Sequence, residues 1–165
     1  MTEVTSSGTA TVTLPADEQI LIEREFDAPR ELVYRAWTTP ELVMRWWSGH
    51  QGTMKIAEID LRVGGAWRFV MAAQEGGYEV AFHGEYREIV PNERIVNTEV
   101  FEHPSAEGEE SLITVELAEQ DGRTTLTMLC EYSSREVRDA VIDSGMETGM
   151  QEQMDLLEEV ARSLR

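Results

Sequence analysis

Cysteine and lysine are almost absent from this chain of 165 residues, since each occurs once, as Cys130 and Lys55. A single cysteine cannot form an intrachain disulfide, a cysteine-based zinc cluster or a paired-thiol redox motif. The chain also lacks a run of about twenty apolar residues, and its first twenty residues lack a basic start followed by an apolar stretch. We therefore expect a cytoplasmic protein without a secretion signal or a membrane partner.

Basic residues are scarce as well: the chain has 14 basic and 32 acidic residues, and the formal net charge is −18. A charge of this sign repels phosphate backbones and anionic membrane surfaces. The arginines are scattered, without the aromatic interleaving that a single-strand-binding groove requires. Nucleic acid is therefore not expected as a partner.

The usual signatures of metal and catalytic sites are missing. His50, His83 and His103 are far apart in sequence, and none has a spacing such as H-E-x-x-H. No G-x-S-x-G elbow, phosphate loop or dinucleotide fingerprint is present. Cys130 lies in an apolar stretch without a basic neighbour that could lower its pKa. We expect no metal, no cofactor and no catalytic residue that the sequence alone can assign.

The first third of the chain predicts a tail, a strand and two short helices. Residues 1–10 are rich in Thr, Ser and Gly and are expected to form a flexible tail, followed by a single domain over residues 11–165. Strand-forming residues at 11–14 and 19–26 predict one first strand that is broken at Pro15. Helix starts follow at residues 27–29 and 39–40, where a proline suits the first turn.

The remainder predicts an antiparallel meander and a long helix. Near period-two alternation between short turns predicts six strands, at 54–60, 66–73, 78–90, 94–101, 111–118 and 123–132. Helical spacing then returns as an amphipathic stripe of methionine and aliphatic residues in the last twenty positions. Ser134 is the candidate N-cap of this helix, and Gly145 or Gly149 marks a kink.

This order of elements predicts an α+β helix-grip fold, in which a curved antiparallel sheet of about seven strands wraps around the long C-terminal helix. The sheet must cover its apolar face, and the Met-rich stripe is the long apolar surface able to do so. Missing side chains at Gly84 and at Gly64-Gly65 allow the sheet to bend sharply. Such curvature favours a space between the sheet and the helix.

Several short segments together resemble one known family. In chain order they are Phe26-Asp27-Ala28-Pro29, Ala36-Trp37-Thr38, Pro40-Glu41-Leu42, Trp46-Trp47, Asp60-Leu61-Arg62-Val63-Gly64-Gly65-Ala66-Trp67-Arg68, Gly84-Glu85-Tyr86-Arg87-Glu88-Ile89 and Gly145-Met146. This combination resembles the activator of heat-shock-protein-90 ATPase homologue family within the START-like (SRPBCC) superfamily. The resemblance covers roughly residues 11–164. The family often has Gly-Trp where this chain has Gly149-Met150.

Large aromatic rings and methionines are predicted to line an apolar cavity, because rings over a bent sheet do not interlock as completely as branched aliphatic side chains. The predicted lining residues are Trp37, Trp46, Trp47, Trp67, Phe69, Phe82, Tyr86, Met128, Met146, Met150 and Met154. Ordinary core packing is the alternative interpretation of each. Four polar residues are candidates for the cavity wall: Arg62, Arg68, His83 and Glu85. Ion pairs at a turn or on a solvated strand face are the alternative for these four.

Three functions are compatible with these patterns. The leading hypothesis is the binding of a small apolar or amphipathic molecule, as in a carrier, a sensor or a stress-related protein, in line with what the START-like resemblance implies. The family resemblance also implies a co-chaperone-like interaction with another protein. The third is an enzyme of the START-like cyclase or hydrolase kind, for which Arg68, His83 or Glu85 must point into the cavity. A homodimer is further expected, because the broken first strand leaves a sheet edge that a second copy can pair with.

Overall fold

The computed structural model describes residues 2–5, 10–102 and 109–165. These residues form nine strands and four helices. The strands are β1 Thr2–Thr5, β2 Thr11–Leu14, β3 Gln19–Phe26, β4 Gly52–Ile59, β5 Ala66–Ala73, β6 Glu79–Val90, β7 Arg94–Glu102, β8 Glu110–Gln120 and β9 Arg123–Glu131. The helices are α1 Arg30–Thr38, α2 Pro40–Val43, α3 Arg135–Asp143 and α4 Met146–Ser163.

All nine strands belong to one curved antiparallel sheet in the order β1-β2-β3-β9-β8-β7-β6-β5-β4. The predicted α+β helix-grip fold is confirmed, and the six strands predicted for the meander agree with the observed ones within two residues at each end. The periodicity was reliable in strands such as β3 and β8, where one face is buried and the other is solvated, which imposes alternation on the residues.

The strand count differs from the prediction of about seven. The prediction of one first strand broken at Pro15 was wrong, because β2 and β3 are separate strands that pair with each other, with Thr11 opposite Glu23. Pro15 cannot donate to a ladder, and a turn closed by the amide of Gln19 on the carbonyl of Ala16 reverses the chain.

Part of the predicted tail takes up defined structure. Thr2–Thr5 form β1, which adds a further strand to the sheet. Ala10 is fully buried. Met1 and residues 6–9 lie outside the described residues.

Two helices replace the single long C-terminal helix. Ser134 caps α3 as predicted, since its Oγ accepts from the amide of Val137 at 3.2 Å. Gly145, with φ of 85°, then separates α3 from α4. A left-handed residue breaks the helical hydrogen-bond ladder, and glycine takes this conformation without steric cost. No helix of the described residues combines the length and the apolar character needed to cross a membrane.

The concave face of the sheet, defined as the face that α4 covers, carries the core. Side chains of β3, β8 and β9 pack there against the buried residues of α4, which are Met150, Gln151, Met154, Leu157, Val160 and Ala161. Two polar anchors attach the helix. Arg24 donates to the carbonyl of Met154 at 2.9 Å, and the side-chain amide of Gln151 exchanges hydrogen bonds with the backbone of Ala10 at 3.1 and 2.8 Å. The anchors hold α4 over β2 and β3, at one side of the sheet.

Candidate functional site

Five aromatic rings form one continuous cluster, here called the aromatic cluster: Trp47, Trp67, Phe69, Phe82 and Phe101. Neighbouring centroids lie 4.9 to 5.4 Å apart along the path Trp67–Phe69–Trp47–Phe82–Phe101. Four of the rings project from β5, β6 and β7, and Trp47 reaches them from the turn after α2. Phe101 is 42% exposed and Trp47 and Phe82 are half-buried, so apolar ring surface remains accessible at this end of the concave face.

The other predicted aromatic residues lie elsewhere. Trp37 and Trp46 form a separate pair with centroids 5.0 Å apart, and the indole nitrogen of Trp46 donates to the carbonyl of Ala36 at 2.9 Å. This pair joins α1 to the turn after α2. Tyr86 is buried in the core, and its burial raises the pKa of the phenol above its usual range.

The four predicted methionines divide into two groups. Met150 and Met154 are buried in the core and fill the space between α4 and the sheet. Met128 on β9 and Met146 at the start of α4 are half-buried. The first half of α4 adjoins the turn that carries Trp47, because the side-chain amide of Gln153 donates to the carbonyl of Trp47. The accessible part of the concave face therefore lies towards the start of α4.

None of the four predicted polar candidates lies on the concave face. Arg68 alternates with Trp67 and Phe69 along β5 and so points to the convex face, where His83 is its neighbour on β6. Arg62 is exposed in the turn after β4 and pairs with Asp60 at 2.9 Å, and the exposed Glu85 pairs with Arg87 at 3.5 Å. The sequence could not decide this, because the face of a strand residue depends on its register with neighbouring strands.

Arg68 and His83 share one partner on the convex face, the carboxylate of Glu102. The guanidinium donates to both Glu102 oxygens at 2.9 Å, and Nδ1 of His83 lies 2.8 Å from Oε2. The hydrogen bonds from Arg68, followed by that from His83, lower the pKa of Glu102 to about 2. An open depression of about 450 Å³ adjoins this cluster, between β4 and β6.

One carboxylate on the concave face was missed by the sequence analysis: Glu99. It lies on β7 between Asn97 and Phe101, in register with Ser111 of β8. Since Phe101 belongs to the aromatic cluster, Glu99, two residues away on the same strand, shares its face. Among the described residues, no group forms a hydrogen bond or an ion pair with the Glu99 carboxylate.

Glu99 is half-buried. Burial raises the pKa of its carboxyl to about 7. Cys130 of β9 and Tyr132, which directly follows β9, interact electrostatically with Glu99 and hydrogen bond to each other. Burial, followed by the charge of Glu99, raises the pKa of Cys130 to about 12. No described arginine, lysine or histidine compensates the charge of Glu99. The residues described contain no group of three or more His, Cys, Asp or Glu side chains able to hold a metal.

The comparisons with known proteins agree with the observed fold. The family of activator of Hsp90 ATPase homolog 1-like proteins matches residues 27–162. The chain belongs to this family. The resemblance noted in the sequence is therefore confirmed. No curated protein matches the chain.

Solved structures of similar proteins share the fold of this family member. A protein from Rhodobacter sphaeroides is 26% identical, with 94% of this chain and 99% of that chain covered and a TM-score of 0.85. A protein from Chromobacterium violaceum is 29% identical, with coverages of 88% and 98% and a TM-score of 0.78. An AHSA1-like protein from Aeromonas hydrophila, 20% identical over 88% and 93% of the two chains, has a TM-score of 0.69. These likenesses extend over nearly the whole domain.

The raised pKa of Glu99 predicts a pH dependence of stability in this family member. Between pH 4.5 and about 7 the folded protein keeps a proton that the unfolded chain has released, so stability falls as the pH rises through this window. Glu99→Gln cannot titrate. Its free energy of unfolding is expected to exceed that of the wild type by an amount that grows by about 1 to 3 kcal/mol from pH 5 to pH 8.

Urea unfolding of both proteins at several pH values measures this difference. Glu75→Gln, at an exposed position in the turn after β5, makes the same change of charge and is the control. Its difference from wild type is expected to stay flat over the same range. A flat difference for Glu99→Gln as well would contradict the raised pKa of the Glu99 carboxyl.

Proposed function

We propose that this protein binds a small apolar or amphipathic molecule on the concave face, between the aromatic cluster and the beginning of α4. The observation that carries the proposal is the continuous path of five rings that ends in partly accessible Trp47, Phe82 and Phe101. Contiguous apolar surface that remains accessible on a folded domain is typical of a binding site. Membership of a family with the helix-grip fold supports this proposal.

The proposed site is an accessible surface of aromatic rings rather than a hollow along the whole helix. Met154 and Leu157 are almost completely buried, so this part of α4 is closely packed against the sheet. Half-buried Met146 supplies a flexible thioether at the start of α4, while half-buried Met128 lies opposite Ile22 and Val115 of the neighbouring strands. A methionine side chain adapts to varied apolar shapes, which suits a site that accepts more than one ligand.

The other functions remain predictions. Arg68, His83 and Glu85 point away from the concave face, so the residues on which the enzyme hypothesis depended do not support it. The family's description names an activator of an Hsp90 ATPase, and a chaperone contact is tested by a pull-down and an ATPase assay. The homodimer, the stress-related role and the cytoplasmic location are likewise predictions.

Phe101→Ala is expected to weaken the binding of a neutral apolar fluorophore such as Nile red about five- to tenfold. Truncation removes accessible ring surface worth about 1 to 1.4 kcal/mol from the site. Because Phe101 is 42% exposed, the domain should remain folded. A fluorescence titration measures the affinity.

Tyr78→Ala is the matched control, since this ring is 64% exposed and lies in the turn before β6, outside the aromatic cluster. Its titration should coincide with that of the wild type. Equal losses in the two variants, or no saturable binding to the wild type by any of a panel of neutral apolar probes, would overturn the proposal.

A further inference from the structure

The half-buried Glu99 carboxylate differs from the buried arginines of the domain in having no hydrogen-bond or ion-pair partner among the described residues. Buried Arg24 is paired with Asp155 at 3.0 Å and with Glu158 at 3.5 Å. Buried Arg138 donates to Asp139 and to the carbonyl of Ala16. In the part of the chain that the structure describes, no side chain forms such an ion pair or hydrogen bond with the Glu99 carboxylate.

A half-buried, unpaired carboxylate on the same face as the aromatic cluster carries a free-energy cost, because it loses part of its hydration without gaining a countercharge. The cost disappears when a cation from outside the chain is placed beside it. From these contacts we infer that the molecule bound on the concave face carries a protonated nitrogen, with Glu99 as its counter-ion. This inference rests on the function proposed above and specifies the chemical class of its ligand as an amphipathic amine.

The register of the sheet places the two halves of such a ligand. Glu99 and Phe101 are two residues apart on β7, which separates them by about 7 Å along the strand. An apolar body on Phe82 and Phe101 therefore needs a spacer of two or three bonds to bring an ammonium group to Glu99. A charge-assisted hydrogen bond forms there. The nearby ring of Trp67, which lies on the neighbouring row of the same face, adds cation–π attraction.

The charge of the chain favours the same class. A formal net charge of −18 attracts cations and repels carboxylates. On the concave face, the negative charge of Glu99 repels a ligand that carries a carboxylate. A fatty acid or an aromatic acid is thus expected to bind less tightly than the amine with the same apolar body.

The test compares three head groups on matched bodies by isothermal titration calorimetry at pH 8. Tryptamine, 3-propylindole and indole-3-propionate differ mainly in the charge at the end of the side chain, and the same three ends can be placed on phenyl and naphthyl bodies. For the wild type, the amine is expected to bind at least tenfold more tightly than its neutral isostere, and the acid more weakly than both.

Glu99→Gln is expected to lower the affinity for the amine at least tenfold and to leave the affinity for the neutral isostere within twofold of wild type. The retained binding of the neutral isostere also shows that the variant is folded. Lowering the pH from 8 to 5 should lower the affinity of the wild type for the amine but not that of Glu99→Gln. Glu75→Gln is expected to bind all three ligands as the wild type does.

The outcomes separate the two proposals. The counter-ion role of Glu99 is overturned if the wild type binds the amine and its neutral isostere with equal affinity, or if Glu99→Gln loses the same factor of affinity for both. The apolar site stands in either case. If no member of the three series binds the wild type, both the apolar site and the role of Glu99 are overturned.

Discussion

Gly84→Ala is expected to prevent the domain from folding stably, with a loss of about 3 to 5 kcal/mol or more. A Cβ at this position would lie 1.9 Å from the carbonyl oxygen of Thr98 and 2.6 Å from the indole nitrogen of Trp67. These two atoms are themselves hydrogen-bonded at 3.1 Å, across β6. Because one obstacle is backbone of the adjacent strand, the clash cannot be relieved by a rotamer change.

The expected result is loss of soluble protein or a large fall in the midpoint of urea unfolding. Tryptophan fluorescence monitors the unfolding. Gly149→Ala provides a control of opposite sign. Its added methyl group would approach nothing nearer than Cγ of Gln51 at 4.0 Å, and the position is inside α4. Alanine there should stabilise by about 0.5 to 1 kcal/mol. A Gly84→Ala protein with the wild-type midpoint would show that the sheet does not need this close approach.

Arg24→Ala is expected to destabilise the domain by about 3 kcal/mol. The buried guanidinium donates to the Met154 carbonyl and to Asp155, and it lies 4.7 Å from the ring centroid of Phe26. Alanine removes the charge-assisted hydrogen bonds and also the packing of the aliphatic stem, leaving a cavity between β3 and α4.

Urea unfolding measures the loss, and Arg24→Met separates its causes, since methionine restores volume without the hydrogen bonds. Arg24→Met is expected to recover about half of the free energy of unfolding that Arg24→Ala loses. Arg35→Ala is the control: Arg35 forms an exposed pair with Glu31 on α1, and such pairs contribute about 0.5 kcal/mol or less. If Arg24→Ala is no more destabilising than Arg35→Ala, the arginine does not attach the helix to the sheet.

The candidate site was predictable in part. Trp47, Trp67, Phe69 and Phe82 were expected to lie together, since aromatic residues concentrate in segments that the fold brings to one face. Phe101 and Glu99 were missed because β7 does not alternate clearly: Ile95 and Val96 are both apolar and both buried. The register of β7 with β8, which sets Glu99 opposite Ser111, was needed to assign the face.

The sequence by itself determined the elements and their order. Proline at the helix starts, Ser134 at the α3 cap, glycine at the turns and the alternation within strands are all local signals, and each acts through the backbone of a few residues. Those signals were sufficient for the fold class and the family.

Only the tertiary structure decided which face each polar residue occupies and which side chains meet. Arg68 and His83 were candidates for the cavity until pairing between β5 and β6 placed them with Glu102 on the convex face. The register of β7 with β8 placed Glu99 on the concave face, where no described residue pairs with its carboxylate. Contacts between residues distant in sequence depend on strand register, and a shift of one position exchanges the two faces, so local composition cannot specify them.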